Sequence, residues 1–262
     1  MRKILLFILF ASIFLVSFLF INNVFIINGK ADTINVNPGD SIQNAIDNAN
    51  DSDIISIASG TYNENIEITK PISLTGSSKE DTMIIGDVET DETIKINGVS
   101  NVYISDIKIK SKTSTQDYLP AVYLNYVSNS KINDCIIENS NIGLWIKSSN
   151  DNSIESNIIQ DNAEDGIIIT SSSSNNIITD NTLQENGRGL YIEPSPSSNK
   201  IYNNKLLSND VNARDSDNPT DNNWHLSGQG NYWSDYENPD SDNDGIGDVP
   251  YQKYNVDDQY PL

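Results

Sequence analysis

The sequence predicts an all-β solenoid, a parallel β-helix, and three observations lead there. First, the segments "KINDCIIENSNIGLWI", "NSIESNIIQDNAEDGIIIT", "NIITDNTLQENGRGLYIE" and "NKIYNNKLLSND" stack in register at steps of 22 to 24 residues. Ile132, Ile154, Ile178 and Ile201 share one position of this repeat, and Ile137, Ile159, Leu183 and Leu206 another. Gly143, Gly166 and Gly189 share a third. Repeats of about 20 to 50 residues mark solenoids, whose units bury an apolar face only against their neighbours. Second, apolar residues alternate over short runs, as in Leu144-x-Ile146 and Leu190-x-Ile192, which is strand periodicity. Three short strands fit each unit, whereas the fixed leucines and asparagine of a leucine-rich repeat are missing. Third, Asn157, Asn181 and Asn204 align, as do Asn162, Asn186 and Asn209. Asparagine tolerates the left-handed bends a coil needs at its corners, and stacked amides can hydrogen-bond from coil to coil.

The elements follow in chain order. Residues 1–31 read as a targeting segment, with Arg2 and Lys3 ahead of an apolar run from Ile4 to Ile21. Small residues in Gly29-Lys30-Ala31 favour cleavage after Ala31 as a secretory signal. The run is also long enough for an uncleaved membrane anchor, the alternative reading. Both place residues 32–262 outside the cytoplasm. A short helix is expected next, with Ser41 as N-cap and Ile42, Ala45, Ile46 and Ala49 on one face. It is the candidate cover for the N-terminal end of the solenoid, whose strand edges must be protected. Further strands are predicted at Thr82–Ile85, Thr93–Ile96, Val102–Ile104, Ile107–Ile109 and Ala121–Leu124, with "KTSTQDYLP" as a longer corner loop. The β-helix is assigned to residues 32–215 and an irregular C-terminal cap to residues 216–262.

Charge limits the partners. The chain of 262 residues carries a net charge of −21. Removing Arg2, Lys3 and Lys30 with the first 31 residues leaves 13 bases against 37 acids, or −24. Such a balance repels nucleic acid. It suits a cation-rich or wall-associated surface, or serves simply to solvate an exported protein. Cys135 is the only cysteine, so no disulfide can form within the chain. It falls in the register of the first asparagine ladder, as Ser140 does in the second, and is expected to be a buried substitute there.

The tail "GNYWSDYENPDSDNDGIGDVPY", residues 230–251, departs from the repeat. Asp240, Asp242, Asp244, Gly245 and Asp248 have the spacing of the first nine positions of an EF-hand calcium loop, with Ile246 offering its carbonyl. Tyr251 stands where the twelfth-position glutamate belongs, and Asp257 or Asp258 are the nearest replacements. An acidic turn without an ion has the same composition. If Ca²⁺ binds, its expected role is to pin the tail while Tyr232, Trp233 and Tyr236 cover the last coil.

Two resemblances accompany these readings. The stretch "SIQNAIDNA…GTY.ENI.I.K.I.L.G" looks like the opening coil of pectinesterase-like β-helices. The "S-N-x-I-x-x-N-x-I-x-x-N" coils of residues 99–215 and the tail "GNYWSDY…D-x-D-x-DGIGD-x-PY…D-x-YPL" together resemble the NosD family. These are exported β-helix proteins often labelled periplasmic copper-binding, many of them archaeal surface proteins. The resemblance implies export and a right-handed β-helix and leaves activity open. Copper itself has little support in the residues, because it wants clustered His, Cys or Met. Beyond residue 31 only His225, Cys135 and Met83 are available, and they lie far apart in sequence.

Enzymatic signatures are weak. Neither "GHG" with paired aspartates, as in polygalacturonases, nor "DPH", as in mannuronan epimerases, occurs. Glu164, Asp165, Glu185 and Arg188 cluster in sequence, but acids on so negative a surface ordinarily serve solvation. His225, beside Trp224, reads as a packing or capping residue. A sharper candidate is an outward stripe of Tyr123, Trp145, Ile168 and Tyr191, at steps of 22, 23 and 23. At about 4.8 Å per coil it would run roughly 14 Å. Such strips grip sugar rings or another partner, or else lie under a loop or the tail. The expectation is an exported, monomeric, non-catalytic surface protein that binds a polysaccharide or another envelope component. The alternatives are a lyase or epimerase acting on uronic-acid polymers, and an accessory factor for maturing an exported metalloenzyme. No nucleic acid is expected, and membrane contact only through the N-terminal segment.

Overall fold

The computed structural model describes residues 31–87, 91–112, 119–216 and 221–262. The targeting segment up to residue 30, and residues 113–118 of the predicted corner loop, lie outside them. Strand periodicity becomes a staircase because each strand pairs in parallel with the strand one coil later. Ile132, Ile154, Ile178 and Ile201 are successive partners, as are Ile137, Ile159, Leu183 and Leu206. The result is a right-handed parallel β-helix of about 8 turns with one short helix among the described residues. Three sheets wall it. The first runs from Thr33–Val36 to Lys200–Tyr202 and the second from Gly60–Asn63 to Tyr232–Trp233. The third runs from Ile66–Ile68 to Val211–Asp215. The inward isoleucines and leucines of all three sheets are buried as one core.

The corners differ from the sequence expectation in one respect. The ladder asparagines are not the left-handed residues. Ser156, Asp180 and Asn203, each one position earlier, take φ of 58°, 57° and 57°. The reversal falls there because the asparagine itself turns inward to bond the next coil. Asn157 Nδ2 donates to Asn181 Oδ1 and Asn181 Nδ2 to Asn204 Oδ1, both at 3.0 Å. Asn162, Asn186 and Asn209 do the same at 2.9 and 3.0 Å. A further ladder, Asn152, Asn176, Asn199 and Asn222, has the same spacing and escaped the sequence reading. Cys135 occupies the rung before Asn157, buried, with its N–H donating to Asn157 Oδ1. Burial pushes its thiol up to about 12, as befits a rung rather than a nucleophile. Glycine recurs where coils approach most closely: a Cβ at Gly166 would lie 2.6 Å from the Gly189 carbonyl oxygen.

Both ends are closed. The helix Ile42–Asn48 starts at Ser41, whose side chain accepts from the Asn44 N–H, and buries Ile42, Ala45 and Ile46. Glu64 accepts from the Ser41 hydroxyl and the Ile42 and Gln43 N–H groups, while Lys70 Nζ donates to the carbonyls of Ile46, Asp47 and Ala49. Orphan groups at both helix termini are thereby satisfied by charges of the matching sign. At the other end, solenoid pairing continues past residue 215, since Tyr232–Trp233 pairs with the strand Lys205–Leu207. Trp224 and Trp233 are buried, and Trp233 stacks on Tyr251 at 4.0 Å. Tyr251 belongs to a short antiparallel hairpin with Val256–Asp258. Of the three aromatic residues expected to cover the last coil, Trp233 does so and Tyr236 packs at its edge, whereas Tyr232 stays exposed. Strand alternation explains this: with Trp233 turned inward, Tyr232 must face out.

Candidate functional site

The third sheet has the longest strands of the solenoid, and its outer face carries the stripe. Residue pairing places Glu67, Lys95, Tyr123, Trp145, Ile168, Tyr191 and Arg214 in one continuous row across seven coils. The neighbours of Trp145 within its strand, Leu144 and Ile146, are fully buried, so the indole faces out. The Tyr123 and Trp145 rings lie 5.5 Å apart at 58°. They form ridges rather than one flat plane. Trp145 Nε1 donates to Thr170 Oγ1 at 2.9 Å, which leans the indole towards the next coil. Ile168, the partner of Trp145 in the next coil, is only 4 % exposed. Ile168 therefore supports the stripe from below instead of offering a contact, a correction to its expected role. The Tyr191 hydroxyl accepts from Ser216 Oγ at 3.2 Å.

Cations frame these rings. Lys147 stands 5.7 Å from the Trp145 ring, Arg188 4.1 Å from the Tyr191 ring, and Arg214 5.9 Å from the same ring. Such placements are attractive through the ring quadrupole. The sequence offered a signal for them that went unread: Arg188 and Arg214 are the only arginines after Arg2, and Arg214 falls 23 residues after Tyr191. Of the acidic cluster, the structure brings Asp165 and Arg188 together, at 2.5 Å for Nε–Oδ1 and 2.8 Å for Nη2–Oδ2. Burial raises the Asp165 carboxyl above its ordinary value, against the pull of Arg188. Glu185 stands exposed at a left-handed corner with φ 54°.

In the tail, Asp240, Asp242 and Asp244 present carboxylate oxygens within 4.8 Å of one another. Asp248 turns aside to Ser241, and hydrogen bonds from the Ser241 side chain and then its N–H hold the Asp248 carboxyl below the ordinary range. The Ile246 N–H donates to Asp244 Oδ1. Of the two proposed replacement ligands, one is committed to the core. Asp258 is buried under Trp233 and Asn231, and Asp257 accepts from Gln252 and Gln259. Tyr251 points to Asp235 and the core.

The residues do not fit copper. His225 packs edge-on against Tyr260 at 5.1 Å, the Cys135 thiol donates to the Asn133 carbonyl inside the ladder, and Met83 sits on a strand of the second sheet. Among the described residues the one group able to gather three ligands is all oxygen, and copper prefers nitrogen and sulfur.

Known structures share the solenoid at low identity. ORF18 of Geobacillus virus E2 is 20 % identical with a TM-score of 0.57, covering 63 % of this chain and 38 % of that one. A pectin methylesterase mutant solved with a hexasaccharide is 16 % identical with a TM-score of 0.54, covering 72 % and 69 %. A GH87 α-1,3-glucanase catalytic domain solved with tetrasaccharides is 18 % identical with a TM-score of 0.56, covering 77 % and 38 %. The chain thus spans well under half the length of two of these three. At such identities the likeness concerns fold alone. No curated protein matches the chain. The family model described as periplasmic copper-binding protein (NosD), however, matches residues 21–238, and the chain belongs to that family.

Proposed function

We propose that this extracytoplasmic β-helix protein is a non-catalytic binder, secreted or held at the cell surface, that grips a polysaccharide or another envelope component. The family is periplasmic, and no helix among the described residues is long and apolar enough to cross a membrane. The observation that carries the reading is the row of Tyr123, Trp145 and Tyr191, half-buried ridges on a rigid outer face. Aromatic faces with polar tips suit sugar rings, which are apolar above and below and polar around the edge. A locked Asp165 speaks for binding without chemistry, since its carboxylate is engaged by Arg188. Replacing Trp145 with Ala is expected to weaken retention on purified cell-wall polysaccharide on the order of tenfold, or about 1.4 kcal/mol. Unchanged retention on every glycan tested would end the reading.

One observation favours a second reading, a lyase or epimerase on uronic-acid polymers: Asp165, with its raised carboxyl, shares this face with Arg188 and Tyr191. Unsaturated-uronate absorbance appearing on incubation with such polymers would establish a lyase, and inversion at C5 of the uronate residues, read by proton NMR, an epimerase. The Asp240–Asp248 loop is assigned a structural Ca²⁺, supported by its three gathered carboxylates. Calorimetry is expected to show heat with Ca²⁺ that is lost in Asp242→Asn, and no stoichiometric heat with Cu²⁺.

A further inference from the structure

Resting on the reading of the third sheet as a glycan surface, we infer that its ligand is a carboxylate-bearing polysaccharide, held by aromatic ridges and by cations that flank them. After residue 31 the chain holds 13 bases against 37 acids, yet both of its arginines meet at one tyrosine on this face. Lys147 stands over Trp145, and Lys95 occupies the rung before Tyr123.

The individual roles differ. Arg188 is taken up by Asp165, so it fixes the face of Tyr191 rather than reaching for a ligand. Lys147 and Arg214 make no ion pair among the described residues, and Arg214 is exposed. They stand on strands three coils apart, roughly 14 Å at about 4.8 Å per coil, with Trp145 on the strand of Lys147 and Tyr191 in the interval. A polymer running across the coils would lay sugar rings on the ridges and an acidic group at each end of the span. The guanidinium fork of Arg214 matches a planar carboxylate in two-point contact, and Lys147 supplies a point charge. The protein as a whole repels polyanions, but screening confines that repulsion to about 8 Å at physiological salt. Local cations therefore decide the contact.

Polygalacturonate and its fully methyl-esterified form separate charge from stacking, because they share one sugar backbone. The protein is expected to bind polygalacturonate at least tenfold more tightly than the ester. The double variant Lys147→Gln/Arg214→Gln is expected to lose that preference. A control, Lys200→Gln/Lys205→Gln, removes two charges from the first and second sheets and should keep it. Trp145→Ala should weaken binding of both polymers. Equal affinity for acid and ester, or a preference that survives in K147Q/R214Q, would overturn the charge inference and leave the glycan surface standing. Binding of neither polymer, with Trp145→Ala indistinguishable from the parent on cell-wall glycan, would overturn both. Preference for a sulfated glycan over polygalacturonate would overturn the carboxylate assignment alone.

Discussion

The coils and the C-terminal cap both bury a chain of polar groups, and they finish it differently. In the coils each ladder asparagine takes and gives. Asn181 Oδ1 accepts from the N–H and the Nδ2–H of Asn157, and its own two groups donate to Asn204 Oδ1, all at 3.0 Å. Every rung is neutral and depends on the next. In the cap there is no next asparagine, and two ladders end on buried carboxylates. Asn231 donates to Asp258 from N–H at 2.7 Å and from Nδ2–H at 3.3 Å, and Asn222 Nδ2–H donates to Asp215 at 3.1 Å. Each carboxylate also receives an indole N–H, from Trp233 and Trp224 respectively. An amide can hand a hydrogen bond on, but only a group that accepts without donating can end the chain. The aligned amides also leave their donors facing the C-terminal end, where a carboxylate is favoured as an anion is at a helix N-terminus.

Exchanging the two chemistries breaks this comparison most directly. Asn181→Asp removes the side-chain donor to Asn204, Ile154 and Thr179, leaving only the N–H bond to Asn204, and buries a charge in mid-ladder. The expected cost is about 3–5 kcal/mol by urea denaturation. A loss below about 1 kcal/mol would mean that the rungs are independent. The reverse exchange, Asp258→Asn, keeps the shape but sets an N–H₂ group either against the Tyr260 N–H, at the place of Oδ1, or against the donors of Asn231 and Trp233, at the place of Oδ2. About 1–3 kcal/mol is expected, smaller than in the ladder because one accepting oxygen survives.

Acidity sharpens the contrast with the smallest effect. For Glu138, on the outer face of the coils, burial pushes upward, but hydrogen bonds from Lys110 and Gln160 and the charges of Lys110 and Lys108 hold its carboxyl below the ordinary value. The unfolded chain then takes up the proton first, so this contribution is present above the ordinary value of about 4 and is lost as pH falls through the native one. For Asp258, burial outweighs the bonds from Asn231, Trp233 and Tyr260, and its carboxyl is raised. Here the native chain takes up the proton first, so stability grows as pH falls from neutral towards about 4. Relative to the parent, Asp258→Asn should therefore look worse on mild acidification, and Glu138→Gln should look better once the pH drops below about 4. Parallel slopes for the two variants would contradict the assignment.

The same contrast explains what the sequence revealed. Coil register was legible because Ile132, Ile154, Ile178 and Ile201 repeat one environment four times, and the row from Tyr123 to Tyr191 came with it. The ladder through Asn152 was equally readable from its spacing. Burial of Ile168 was not, because strand alternation fixes only the face on which a side chain stands, not how far its neighbours cover it. Contacts in the cap are made once and have no period. Asp258 looked like a spare metal ligand and is the end of a ladder; Tyr251 looked like a failed twelfth ligand and is the ring beneath Trp233.

Oxidative footprinting of the aromatic residues, with and without polygalacturonate, tests the binding face most directly. Tyr123, Trp145 and Tyr191 should be protected together, while Tyr232 and Tyr260, exposed at 44 % and 36 % on the second sheet and in the C-terminal cap, keep their reactivity. Protection of Tyr232 or Tyr260 with Trp145 left reactive would contradict the account.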